Sequence, residues 1–100
     1  MPSQTLSGIT VLDLTSYIAG PFGATLLGDL GANVIKVESP SGDMMRNYPS
    51  TLVGESRAYV GVNRNKRGIV IDLKSKDGLE VIRRLIKKSD VIICKRYIVN

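Results

Sequence analysis

The run Ile9-Thr10-Val11-Leu12-Asp13-Leu14 opens the pattern that most constrains this chain. It is apolar and of strand length, and it leads through a turn at Ser16–Gly20 to Pro21, a residue suited to the first turn of a helix. Phe22, Leu26, Leu27 and Leu30 then recur at helical spacing, and Gly31 supplies a stop. A second apolar run, Ala32 to Glu38, ends at Ser39-Pro40-Ser41-Gly42-Asp43. Strand, helix and strand within about thirty residues make a βαβ unit, whose crossover makes the two strands parallel.

The rest of the chain repeats the alternation less cleanly. Residues 43–58 have no clean period and predict an irregular excursion, followed by a short strand at 58–62. Asn63 to Gly68 reads as a polar turn and Ile69 to Leu73 as another strand. Ser75 is a plausible N-cap for a helix with Asp77 in its first turn and Lys87 and Lys88 at its carboxyl end, where each charge suits the helix dipole. Leu79, Ile82, Leu85 and Ile86 share one face of that helix, and Asp90 to Cys94 begins a last strand. Strands alternating with amphipathic helices predict an α/β fold: an open, mainly parallel sheet with flanking helices. No internal repeat or linker divides it.

Composition removes several function classes. One hundred residues, 43% hydrophobic and 23% charged, suit one small globular domain and neither a disordered nor a fibrous chain. No apolar run is long enough to span a bilayer, and the start Met1-Pro2-Ser3-Gln4 carries no signal pattern, so the expected home is cytoplasmic. Cys94 is the sole cysteine and histidine is absent, which excludes an internal disulfide, a typical zinc site and a histidine-based triad; no metal is expected. Residues 1–50 hold two basic and four acidic side chains, net −2, and residues 51–100 hold twelve and five, net +7. A basic half attracts polyanions, although Arg83, Arg84, Lys87 and Lys88 also read as a solvated helix face.

Several segments bear on chemistry. The loop Ser16-Tyr17-Ile18-Ala19-Gly20-Pro21 leaves a strand and enters a helix, where open α/β sheets bind ligands. Small residues at 19 and 20 would let a ligand approach the backbone, and the helix terminus offers N–H groups to an anion; an ordinary tight turn fits the spacing equally well. Gly20, Gly23 and Gly28 do not reproduce the G-x-G-x-x-G of dinucleotide folds, although Glu38 falls where a ribose-binding acid would lie. Gly23 and Gly28 read more simply as close-packing positions on a helix. Arg64, Lys66, Arg67 and Lys74 could neutralise phosphates or merely be solvated. Nucleic acid is not expected, because Tyr48, Tyr59 and Tyr97 form no stacking pattern with the charges. Asp13, Asp29, Asp43, Asp72 and Asp90 each have a structural reading and no identifiable base partner, and Cys94 reads as a small buried hydrophobe. The residues by themselves leave a stand-alone nucleotide- or protein-binding module open.

Together these segments resemble the class III CoA-transferases, a family that includes formyl-CoA, carnitine-CoA and succinyl-CoA transferases and the α-methylacyl-CoA racemases. The residues that carry the resemblance are Leu6 to Thr15, Ala19-Gly20-Pro21-Phe22, Leu27 to Glu38, Gly42 to Arg46, Asn63 to Arg67 and Ile71 to Lys74. It implies that residues 1–100 are the amino-terminal segment of a Rossmann-like large domain, matching best over 6–90 and diverging over 94–100. It also implies an enzyme that works as an interlocked homodimer and takes CoA or acyl-CoA. Ile18 and Ala19 match the first CoA contact of the family, and Ile71, Asp72, Leu73 and Lys74 match a second. Ser39 stands where the family often has arginine near the adenosine end. The family's nucleophilic aspartate attacks an acyl-CoA thioester; its position falls downstream of Asn100, so no catalytic residue is expected here and the chain is expected to be inactive alone. A Glu-Asn-Phe/Tyr-x-Pro-Gly loop usual in the family is replaced by Lys95-Arg96-Tyr97-Ile98-Val99-Asn100.

Overall fold

The computed structural model of the chain describes residues 4–48 and 56–94. Its sheet has four parallel strands, β1 (Thr10–Asp13), β2 (Asn33–Glu38), β3 (Lys66–Val70) and β4 (Val91–Ile93), in the order β3-β2-β1-β4. Helices α1 (Ala19–Asp29), α2 (Arg57–Val62) and α3 (Lys76–Lys88) and a 3-10 turn at Met44–Asn47 join them. The expected open parallel α/β sheet is therefore the one found.

Register decides what is buried together. Val11 lies beside Val34 and Leu12 beside Ile35. Because side chains alternate between faces, Val11 and Val34 meet Ala24 of α1, while Leu12 and Val37 meet Ile71 and Ile82 of α3. Helices thus cover both faces of the sheet, as parallel strands require.

The approach of α1 is unusually close, and this changes which of its residues are buried. Pro21, Ala24 and Thr25 are buried and Leu27 packs against the core beside Ala24, whereas Phe22, Leu26 and Leu30 are 44%, 45% and 49% exposed. A Cβ at Gly28 would lie 3.2 Å from the Asn65 carbonyl oxygen and 3.4 Å from Val34 Cγ2, so only small side chains fit this contact. The Phe22–Leu26–Leu30 repeat is real, but it points outward. Gly28 is a close-packing position as expected; Gly23 is not, because a Cβ there would meet nothing within 4 Å. Gly31, with φ +104°, makes the predicted stop.

Two boundaries differ from the sequence reading. The expected strand at 58–62 is helix α2, capped by Ser56, whose Oγ accepts the Tyr59 N–H at 3.3 Å. Cap and helix override the β-branched Val60 and Val62. The polar turn is confined to residues 63–65, with Asn65 left-handed at φ +62°, and β3 starts at Lys66 rather than Ile69. It starts there because Lys66 is a buried side chain, as described below, and not a solvated turn residue. Ile71 still donates its N–H to the Glu38 carbonyl at 2.9 Å, and residues 71–74 then form a turn into α3. At α3 the Ser75 cap, the Asp77 first turn and the basic last turn are all present. The excursion expected over 43–58 is a 3-10 turn capped by Asp43 and then α2; its residues 49–55, like residues 95–100 of the tail expected to diverge over 94–100, lie outside the described residues.

Candidate functional site

A cleft of about 290 Å³ opens at the carboxyl ends of three strands. Leu14, Thr15 and Ser16 line it after β1, Val37 to Ser39 and Gly42 to Met44 after β2, and Ile71 to Lys74 after β3. Open α/β sheets take ligands at this end. Ser16, Ser39, Asp72, Leu73 and Lys74 are exposed at the rim, while Ile71 is a core side chain that also forms part of the wall.

Beneath the first loop lie four buried charges. Asp13 Oδ2 accepts from Lys66 Nζ at 2.8 Å, and Lys36 Nζ lies 2.8 Å from Asp43 Oδ2; no side chain of the four exceeds 2% exposure. Burial pushes the Lys66 ammonium below its ordinary value, against the opposing pull of Asp13. Lys66 also donates to the Pro21 carbonyl at 2.8 Å and to Asn63 Oδ1 at 2.7 Å, so its cation is fully solvated by protein. Asp13 Oδ1 accepts both the N–H and the hydroxyl of Thr15, at 2.9 and 2.5 Å.

The wall beside β2 is a second polar cluster. Arg46 grips Glu38 with two bonds, Nε to Oε2 at 2.9 Å and Nη2 to Oε1 at 2.7 Å. Tyr59 donates its hydroxyl to Oε1 at 2.6 Å, and the Asp43 N–H donates to Oε2 at 2.9 Å. The bonded guanidinium, helped by Tyr59 and that N–H, holds the Glu38 carboxyl down at about 2 despite partial burial. Burial and the same carboxylate push the Tyr59 hydroxyl up. Arg46 also stacks on the Tyr59 ring, 3.7 Å from its centroid. With both oxygens engaged twice, Glu38 is not available as a ribose acceptor, which removes the one feature that had favoured a dinucleotide.

The predicted contacts divide. Ile71, Asp72, Leu73 and Lys74 stand together in the cleft; Ile18 and Ala19 are exposed at the start of α1 but do not line it, and Ser16 does instead. The small size of Gly20 serves Thr15 rather than a ligand, since an added Cβ would lie 2.6 Å from Thr15 Oγ1. The cations of 63–67 do not form one cradle: Arg64 pairs with Asp29 at 2.6 Å, Lys66 is buried on Asp13, and Arg67 is exposed. Cys94, expected to be buried, is exposed at the end of the last described strand. From sequence alone Asp13, Asp43 and Lys36 have no part in this site. The signal was present, for Asp13 and Lys36 interrupt otherwise apolar strands at positions that a doubly covered sheet buries. Among the described residues no group of three or more histidine, cysteine, aspartate or glutamate side chains could hold a metal ion, and no helix is long and apolar enough to cross a membrane.

The model of CoA-transferase family III matches residues 6–96. The chain belongs to this family. It is 47% identical over 92 residues to human succinyl-CoA:glutarate CoA-transferase, an overlap of 90% of this chain and 21% of that protein. It is 44% identical over 103 residues to succinate–glutarate CoA-transferase of Agrobacterium fabrum, covering 93% and 26%. Among solved structures, a CAIB/BAIF family protein from Brucella suis superposes with a TM-score of 0.85 at 38% identity, over 91% of this chain and 25% of that one. Rv3272 from Mycobacterium tuberculosis superposes with a TM-score of 0.84 at 37% identity, over 92% and 26%. The chain thus spans between a fifth and about a quarter of the length of these relatives and solved structures.

Proposed function

We propose that this chain is the amino-terminal, CoA-facing segment of the large domain of an acyl-CoA:carboxylate CoA-transferase. The observation that carries the reading is the cleft, in which Ile71, Asp72, Leu73 and Lys74 come together with the first-loop residue Ser16. Lys74 at its rim supplies a cation for a phosphate group. At about 290 Å³ the cleft is at the small end of the roughly 300–1,000 Å³ usual for ligand pockets, so it would take a portion of CoA rather than the whole. Ile18 and Ala19 would then contact the cofactor from the exposed entrance of α1, outside the cleft itself.

Catalysis is not assigned to this chain. The acids near the cleft have other work: Asp13 and Asp43 are paired in the interior, and Glu38 is held by Arg46. Asp72 caps the turn before α3 by accepting the Lys74 N–H at 3.0 Å. The thioester-attacking aspartate implied by the family would therefore be supplied from elsewhere in a complete enzyme. No metal is invoked, and the cytosol is the proposed compartment, in keeping with a sole cysteine.

Titration of Lys74→Ala with CoA tests the cleft. Removing one charge-assisted phosphate contact should weaken CoA binding roughly tenfold, while Lys88→Ala at the far end of α3 leaves it unchanged. Equal affinities for both variants and the parent would refute the placement of CoA here. In parallel, the chain incubated with succinyl-CoA and a dicarboxylate should give no exchange of CoA; measurable transfer would show that a nucleophile is present after all.

A further inference from the structure

Asp13 and Lys36 face each other across β1 and β2, yet each takes its ion pair from a different segment. The result is a clamp on three consecutive residues. Thr15 is held at its N–H and hydroxyl by Asp13 and at its carbonyl by Lys36 Nζ, 3.0 Å away. Tyr17 is held at its N–H by Asp43 Oδ1 at 3.2 Å, the same oxygen that accepts the Met45 N–H at 2.9 Å. Ser16, between the two, is exposed and lines the cleft. Tyr17 sits at φ +79°, a conformation costly for a side chain of its size, and such residues persist where their surroundings over-determine them.

We propose that the buried Lys36–Asp43 pair positions the Ser16 segment for the ligand of the cleft. Lys36 touches no ligand; it acts through Thr15 and through Asp43, which in turn sets Tyr17. The ligand's identity as CoA rests on the reading above, whereas the positioning role does not. A buried ion pair is a poor source of stability, and replacing both partners together can be neutral. Two segments so far apart in sequence, tied through one carboxylate, fit a loop set in advance, which lowers the ordering cost of binding.

The double variant Lys36→Met/Asp43→Asn tests this, because it removes the charges together and keeps an acceptor at residue 43. Amide exchange at Tyr17, whose N–H is bonded to Asp43, should accelerate about tenfold and CoA affinity fall about tenfold, with exchange at Val11, Leu12 and Val34 unchanged. A merely structural role would speed exchange in the sheet as well. Unchanged exchange at Tyr17 with the sheet intact overturns the proposal, as does equal acceleration throughout. The unmodified chain gives a check that no variant's folding can spoil: the Tyr17 amide should be protected to the same degree as that of Met45. If Tyr17 exchanges like an unstructured amide, the clamp does not exist. Failure of the unmodified chain to bind CoA would remove only the ligand assignment, since the exchange measurements still decide the positioning.

Discussion

At Glu38 four donors converge on two carboxylate oxygens, and the folded state therefore binds this proton far less readily than the unfolded chain. The group's ordinary value of 4.5 is depressed to about 2. Its contribution to stability is present above pH 4.5 and is lost as pH falls from 4.5 through about 2, because the unfolded state then takes up the proton first. Urea midpoints should consequently fall steeply between pH 4.5 and 2 in the parent and less steeply in Glu38→Gln; parallel slopes would contradict this. The interior pair Asp13–Lys66 makes a different demand. Lys66→Met leaves a buried carboxylate uncompensated and should cost about 3–5 kcal/mol in urea denaturation, while Asp13→Asn/Lys66→Met should cost less than that single change. The sequence marks Asp13 and Lys36 as anomalies, charges within apolar strands. It does not reveal their partners, because Lys66 lies 53 positions from Asp13 and resembles its cationic neighbours in a turn.

Among the elements, β1, β2, α3 and the α1–β2 turn were legible because period, cap and glycine agree locally. Helix α2 was not, since Val60 and Val62 favour a strand and only the Ser56 cap argues otherwise. The buried face of α1 was also hidden. Phe22, Leu26 and Leu30 follow the helical period yet face outward, while Leu27 packs against the core beside Ala24 and the close contact at Gly28 admits only a small residue. Thermal unfolding of four variants checks this assignment. Gly23→Ala, in open space within a helix, should stabilise by about 0.5–1 kcal/mol. Gly20→Ala, which drives a methyl into Thr15, should destabilise by at least about 1 kcal/mol. Leu12→Ala, at a fully buried position, should cost about 2–5 kcal/mol, and Leu26→Ala, 45% exposed, much less. Equal costs for the two leucine variants would mean that α1 is turned the other way.

At the scale of the molecule, β3 and β4 are the edges of the described sheet, and Ile18, Phe22, Leu26 and Leu30 form an exposed stripe at i, i+4 spacing along α1. Exposed edges and apolar stripes promote association. Sedimentation at high concentration and low salt should therefore show dimers or larger species, and a strictly monodisperse monomer would count against such contacts. Fold class and family were readable because they reside in local motifs, and residues 71–74 stand together because they are consecutive in one turn. The cleft was only half readable, because it is made where three strand ends meet and Ser16, rather than Ile18 or Ala19, enters it. On the proposed function this surface recognises CoA and not a dinucleotide, whose ribose would find Glu38 already bonded to Arg46. Calorimetric titration of the chain with CoA and, in a matched cell, with NAD tests it most directly. Saturable heat from CoA with none from NAD is the predicted result, and heat from NAD with none from CoA would contradict it.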